Sequence, residues 1–364
     1  MLIDIATSLP PYKVLQEKAA SELKKRMAVR PAIGRMIDAA SLHSGIDTRY
    51  VVIPDAEDMA ENKFYSSNGD YIKPDTKTRM NEYERWVKKL SKVAVSKLIE
   101  ENNFNPSSLE RIITVSCTGF FAPGLDYYLI EEFKIPPNVK RTNIGFMGCA
   151  AAITGFNSVF EALNSAKEKE LNTLLVAIEL CSIHLQTEPS RDNILANMIF
   201  ADGCAAALFS NSQKFSENNK FKIVHTETFL FSNSAEFMGW KIGNYGFEMI
   251  LSSELPKIIL ESASPQLLKI ISSIGIDKKE IKYWALHPGG RAILDSLQNG
   301  IGLMDEKMLP SRNVLKNYGN MSSASILFVL KEILKTNDLI KGDYCCAVAF
   351  GPGLTMETAI FRVV

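Results

Sequence analysis

Short runs of apolar and β-branched residues alternate along the whole chain with longer stretches in which apolar positions recur every three or four residues. Arg111–Ser116 (RIITVS) has the pattern of a buried strand. It follows a stretch, 83–101, in which Val87, Leu90, Val93, Ala94 and Leu98 fall at helical spacing, so a helix is predicted there. Thr173–Ile178 (TLLVAI) is apolar throughout and predicts a strand covered on both faces. Between these strands the pattern predicts a helix from about Cys149 to Lys169. The rhythm then recurs, with strands predicted at Lys222–Thr228, Tyr283–Leu286 and Cys345–Phe350 and helices near 257–274 and 324–336.

A polar stretch, Asn211–Lys220 (NSQKFSENNK), interrupts the rhythm and marks a boundary or an exposed crossover. The expected organisation is therefore two halves, 1–212 and 213–364, each built of strand–helix–strand units, which argues for an α/β protein with two related layers. The halves share a rhythm but no residue-level repeat.

Composition narrows the picture. At 364 residues, 46% hydrophobic and 23% charged, the chain is long enough for a large core that needs neither disulfides nor a metal to hold it. Lys plus Arg balance Asp plus Glu at 41 each, so the charge that would favour nucleic acid is absent. The six cysteines form no C-x-x-C pair and mostly sit in apolar runs, which removes zinc-knuckle and thioredoxin-like readings and favours free thiols. The N-terminal MLIDIATSLPPYKV breaks at Pro10–Pro11 before any long apolar stretch, and no window reaches the ~18 apolar residues of a membrane span. The expectation is a reduced, cytoplasmic protein with no membrane anchor and no metal.

Three local patterns carry candidate chemistry. In Gly145-Phe-Met-Gly148-Cys149-Ala-Ala-Ala, a cysteine follows two glycines and opens an alanine-rich helix. The positive end of a helix favours the nucleophilic thiolate, although a small buried residue packing the turn has the same pattern. His287 follows the predicted strand and opens His287-Pro288-Gly289-Gly290-Arg291. That places it beyond the sheet end, where α/β folds bind ligands, or makes it a turn cap. Asn320 lies in Asn317-Tyr-Gly-Asn320-Met-Ser-Ser, where its amide is either a neutral hydrogen-bond donor to a substrate oxygen or a turn residue. Together the three suit thioester chemistry: a cysteine nucleophile, a histidine to pair with its thiolate, and a His–Asn oxyanion hole.

These blocks (GFMGCAAA, ALHPGG, NYGNMSSASILFVL), with the C-terminal Ala349-Phe-Gly-Pro-Gly-Leu-Thr-Met-Glu357, resemble type III polyketide synthases of the chalcone/stilbene synthase superfamily, in a form closer to its bacterial members. The resemblance runs from Thr48-Arg-Tyr50 to Glu357. It implies a homodimeric thiolase fold of five layers, αβαβα, with two pseudo-duplicated halves. It also implies Cys149, His287 and Asn320 as catalytic residues and Phe200 and Met249 at the two gating positions. Cys117, Glu179, Cys181, His184, Trp240 and Ser322 fall at positions lining the substrate cavity, with Gly351-Pro352-Gly353 as a wall. Coenzyme A (CoA) contacts are expected from Arg35, His43, Gly289, Gly290, Arg291 and Ala292, as a basic patch at a tunnel mouth. Ala122, before Pro123, stands where plant members send a methionine into the partner's cavity, and with Cys117 and Cys181 it suggests room for a long acyl starter. The implied reaction joins malonyl-CoA units to an acyl-CoA starter and cyclises the product to a pyrone or phenol, with no cofactor and no carrier protein.

Two other readings use the same residues. A 3-oxoacyl-(acyl-carrier-protein) synthase III would perform a single condensation, and a hydroxymethylglutaryl-CoA synthase would use Glu179 as general acid. A non-catalytic acyl-binding protein of the same fold would typically have lost the cysteine or the histidine.

Overall fold

The computed structural model describes residues 1–27, 30–53, 64–67, 70–166, 169–215, 221–336 and 339–364. Its main sheet contains β1 (Leu2–Ser8), β2 (Arg111–Ser116), β3 (Lys140–Gly145), β4 (Asn172–Leu180), β5 (Asp202–Ser210), β6 (Phe221–Leu230), β7 (Ile281–Leu286), β8 (Tyr344–Gly351) and β9 (Thr355–Val363). Their order is β7-β8-β9-β6-β1-β5-β4-β2-β3. The outer neighbours β7/β8, β4/β2 and β2/β3 run parallel, and the inner ones antiparallel. Where β1 meets β6 the pairing shrinks to one partner pair, Leu2 with Phe221, so the sheet divides into two half-sheets joined at a narrow seam.

Packing shows how the half-sheets stack. Two helices, Ala151–Ser165 and Ser325–Leu334, place Ile153, Phe156, Val159, Ile326, Val329 and Ile333 in one core with Ile113 and Leu175 of the first half-sheet and Ile223 and Phe361 of the second. They form the middle layer. On the far side of the first half-sheet, the helix Thr76–Glu101 packs Val87, Leu90, Ala94 and Leu98 on Ile112, Val176 and Leu208. On the far side of the second, Leu267, Leu294, Leu297 and Leu315 pack on Trp284, Leu286 and Val348. The result is the five-layered αβαβα arrangement of a thiolase fold. Alternate residues of β2 enter different cores, Ile112 outward and Ile113 inward, as the two-residue strand period requires. Truncating a wholly buried middle-layer side chain such as Phe156 to alanine costs about 3–5 kcal/mol.

The predicted strands form, and the helix boundaries shift. The helix expected over 83–101 begins at Thr76, where Asp75 accepts a 2.8 Å hydrogen bond from the Thr78 amide as its N-cap. The segment expected to start a helix at Cys149 first makes a 3₁₀ turn, Gly148–Ala150, and then the helix from Ala151. Near 257–274 the helix is interrupted by a π turn, Ile259–Ala263. Outside the main sheet a hairpin pairs Met238–Gly243 with Gly246–Leu251 and sets Trp240 opposite Met249. No helix among the described residues is long and apolar enough to cross a membrane.

Candidate active site

Cys149 sits in the tight turn ahead of the middle-layer helix. Gly148 holds φ +63° there, and a Cβ at that position would meet Pro352 Cδ at 2.4 Å, so only glycine lets the Gly351–Gly353 loop close onto the turn. The Cys149 thiol is buried and points its S–H at Ser322 Oγ, 3.6 Å away. His287 follows β7, its amide donating to the Val348 carbonyl at 2.9 Å. Its ring is 2% exposed, and neither ring nitrogen has a protein partner among the described residues. Asn320 closes the group. Its Nδ2 donates to the Gly289 carbonyl at 3.2 Å, beside His287, and its Oδ1 accepts from the Ser322 amide at 2.8 Å. The Asn320 backbone is also locked to the other half, donating to the Ile199 carbonyl at 3.0 Å and accepting from the Ala201 amide at 2.8 Å.

All three side chains face one cavity of about 290 Å³. Of the other residues expected there, Cys117, Cys181, Phe200, Trp240, Met249, Ser322 and Pro352 line it, as do His43, Gly289, Gly290, Arg291 and Ala292. Five expected residues do not. Gly351 is pressed against the Met147 carbonyl, and Gly353 turns its own carbonyl to Ser234 Oγ at 2.7 Å, leaving Pro352 alone of that loop on the cavity. Arg35 is exposed on the helix Pro31–Leu42 and lies off the lining. Ala122 and Pro123, expected at the partner's cavity rather than this one, are joined by a cis peptide and exposed.

Glu179 and His184 stand one shell behind the wall. The Glu179 carboxylate accepts from the Cys117 amide and Thr118 Oγ1, both at 2.9 Å, and from Ser323 Oγ. Burial raises its pKa to about 7, against those hydrogen bonds. His184 donates Nε2–H to the Thr118 carbonyl at 2.7 Å and accepts at Nδ1 from the Phe247 amide at 3.0 Å, with its ring stacked on Phe247. Trp240 Nε1 donates to the Cys117 carbonyl at 2.7 Å, so these two side chains fix the chain that carries Cys117.

Two family models cover most of the chain: "FAE1/Type III polyketide synthase-like protein" over residues 59–234 and "Chalcone and stilbene synthases, C-terminal domain" over residues 222–364. The α-pyrone synthesis polyketide synthase-like Pks18 of Mycobacterium tuberculosis is 30% identical over 265 residues, which is 72% of this chain and 67% of that protein. The chain belongs to the type III polyketide synthase family. Polyketide synthase 37 of Dictyostelium discoideum is 32% identical over 275 residues, 73% of this chain, which spans 9% of that much longer protein. Among solved structures, PKS-I of the brown alga Ectocarpus siliculosus superposes with a TM-score of 0.91 at 29% identity, covering 100% of this chain and 98% of that one.

Electrostatics of this type III polyketide synthase site differ from the sequence expectation in one respect. Burial drives the Cys149 pKa up to about 12, with hydrogen bonds from Ser322 and Asn320 only partly opposing it. The turn precedes the helix proper, and loss of hydration outweighs what the helix end supplies, so the resting group is a thiol. Burial likewise lowers His287 to about 3, leaving a neutral imidazole. In the free protein burial therefore holds both groups neutral, and both face the same cavity.

The cavity also takes residues that no local pattern announced. Met238, Leu251, Leu255 and Ile259 give it an apolar wall, and Arg191, the first residue of the helix Arg191–Ile199, reaches its mouth. Among the described residues the lining contains Arg191 and Arg291 and no carboxylate, with Arg291 also paired to Asp295 at 3.6 Å. The only advance signal for Arg191 is its place after the helix cap Ser190, which says nothing about where it points.

Proposed function

We propose that this chain joins malonyl-CoA units to an acyl-CoA starter held on Cys149 and releases a cyclised pyrone or phenol. The observation that carries this reading is the meeting of Cys149, His287 and Asn320 on one largely apolar cavity that Arg191 and Arg291 also line. In the first step Cys149 Sγ bonds to the starter carbonyl carbon while its proton passes to His287. The bond to the CoA sulfur then breaks, and that sulfur takes the proton. Malonyl-CoA next loses carbon dioxide, and the electron pair left behind forms an enolate whose oxygen accepts hydrogen bonds from Asn320 and His287. The enolate carbon attacks the acyl-Cys149 carbonyl, and the Cys149 thiolate leaves. Neither step calls for a metal or redox group. The apolar wall suits uncharged intermediates and keeps water from the thioester.

The same reading takes the active form to be a cytoplasmic homodimer acting on CoA thioesters without a carrier protein. A pyrone is the first product to look for, since the relative Pks18 is named for α-pyrone synthesis. The deciding test is mass spectrometry of products from purified protein given malonyl-CoA alone and with short, aromatic and long-chain acyl-CoAs. Polyketides that vanish in Cys149→Ala establish the reaction, and the best starter names the substrate class. A single condensation that waits for acyl carrier protein would replace this reading with that of the fatty-acid-type synthase.

A further inference from the structure

We propose that Arg49 is a positioning residue that sets, from outside the cavity, the strand of backbone holding both Phe200 and Asn320. Arg49 lies in the short strand Thr48–Val51 and is 5% exposed. One terminal nitrogen donates to two carbonyls, Asn197 at 2.6 Å and Phe200 at 2.8 Å. Phe200 is bridged to Asn320, whose carbonyl takes the Ala201 amide. The stem of Arg49 runs against the other side of the same bridge. A Cβ on Gly319, which holds φ +73°, would meet Arg49 Cγ at 2.8 Å and Ala201 Cβ at 3.1 Å. One side chain therefore packs its stem against the residue before Asn320 and bonds its head to the Phe200 carbonyl, while remaining absent from the cavity lining.

Its charge has a buried counterpart. Asp202, wholly buried, accepts from the Val52 amide and the Ser182 amide at 2.7 Å each, tying the strand of Arg49 to the turn that carries Cys181. Its charge opposes the fall in Arg49 pKa that burial causes. Both carbonyls are held by one terminal nitrogen, so a lysine ammonium has donors enough for them but lacks the planar head and the longer stem that place that nitrogen here. Because Asn320 and Phe200 share the bridge, loosening it moves the enolate-stabilising amide and the gate together, while Cys149 and His287 stay on their own elements. The kinetic part of this inference rests on the proposed reaction, but the brace itself does not.

Arg49→Met, Arg49→Lys and the charge-balanced pair Arg49→Met/Asp202→Asn separate the possibilities, since the pair leaves no lone buried charge to unfold the chain. Amide hydrogen exchange should quicken in 199–201 and 319–322 in Arg49→Met and not in the half-sheets. Malonyl-CoA decarboxylation should fall by about a hundredfold, while single-turnover acylation of Cys149 stays within about threefold, and Arg49→Lys should recover part of the loss. Unchanged exchange in both segments overturns the brace. Faster exchange everywhere, with both half-reactions falling in parallel, overturns it too by making Arg49 a general stabiliser. Wild-type protein that never decarboxylates malonyl-CoA would refute the proposed reaction, and the exchange result would still decide the brace.

Discussion

His184 and His287 lie in neighbouring parts of the molecule, and burial pulls both to a pKa of about 3. Their surroundings are opposite. His184 has both ring nitrogens engaged, one by the Thr118 carbonyl and one by the Phe247 amide, and its face is covered by Phe247. His287 has neither nitrogen engaged and opens on the cavity. Buried polar atoms are normally satisfied, so the unpaired ring is the exception that needs a reason. The ring opens on the cavity, where solvent can meet it in the free protein, and under the proposed reaction a thiol proton or a thioester oxygen takes that place. His184 is a strut and His287 is held in reserve.

The comparison breaks most decisively at His287. His287→Ala should lower condensation by at least about a thousandfold, from lost proton transfer and a lost oxyanion donor, with thermal stability little changed because no protein group loses a partner. Product formation and a melting curve on the same preparation check both halves of that statement. Alkylation of Cys149 by iodoacetamide is the next largest effect. Under the proposed proton transfer to His287, the wild-type rate near neutral pH should exceed that of His287→Ala by about tenfold or more, since burial holds the unassisted thiol at a pKa of about 12. Equal rates would mean that the two groups do not exchange a proton.

His184→Ala should do the reverse of His287→Ala. It strands the Thr118 carbonyl and the Phe247 amide, at about 1–3 kcal/mol for each group left without water, and should lower the melting temperature by several degrees. A smaller effect appears in pH dependence. Both imidazoles fall from 6.5 to about 3 on folding, so between those values the unfolded chain binds protons that the folded chain does not. Their contribution to stability is therefore full above pH 6.5 and is lost as pH falls towards 3. Glu179 and Asp202, raised to about 7 and about 6 by burial, act with the opposite sign, so the informative quantity is wild type minus variant. That difference should fall on acidification in both, shrinking for His184→Ala and turning in the variant's favour for His287→Ala, where it starts near zero. Smallest of all, Trp240→Phe should cost about 1 kcal/mol through the bond to the Cys117 carbonyl.

How far this was legible in the chain depended on whether local or distant residues set each outcome. Cys149 and Asn320 each follow a glycine and His287 precedes two, all at a sheet or helix end, and that context is written within a few residues of each. Glu179 and Cys181 are two residues apart and would share a face if the strand ran on. But β4 stops at Leu180 and the chain enters the turn Cys181–His184, so Cys181 reaches the cavity and Glu179 does not. No pattern within the segment announces that break. The strand β5 was missed for a different reason. Its Cys204-Ala-Ala-Ala207 core has little strand preference of its own, and packing from both sides makes it a strand. The hairpin carrying Trp240 and Met249 was foreseen as cavity residues but not as a hairpin, because its polar and apolar positions serve a pocket rather than a core.

The narrow seam between the half-sheets has a consequence for the order of events in the cell. Cys149 comes from the first half and His287 and Asn320 from the second, so the proposed chemistry behaves as a coincidence detector for complete assembly. A growing chain displays its thiol long before its proton acceptor has been synthesised, and in that interval the group is no more reactive than any other cysteine. Acyl-CoA in the surrounding fluid cannot prematurely load a half-made enzyme by this route. Under the proposed reaction, docking of one half on the other is what completes the site, so acylation of Cys149 would report whether two separately supplied halves have found each other.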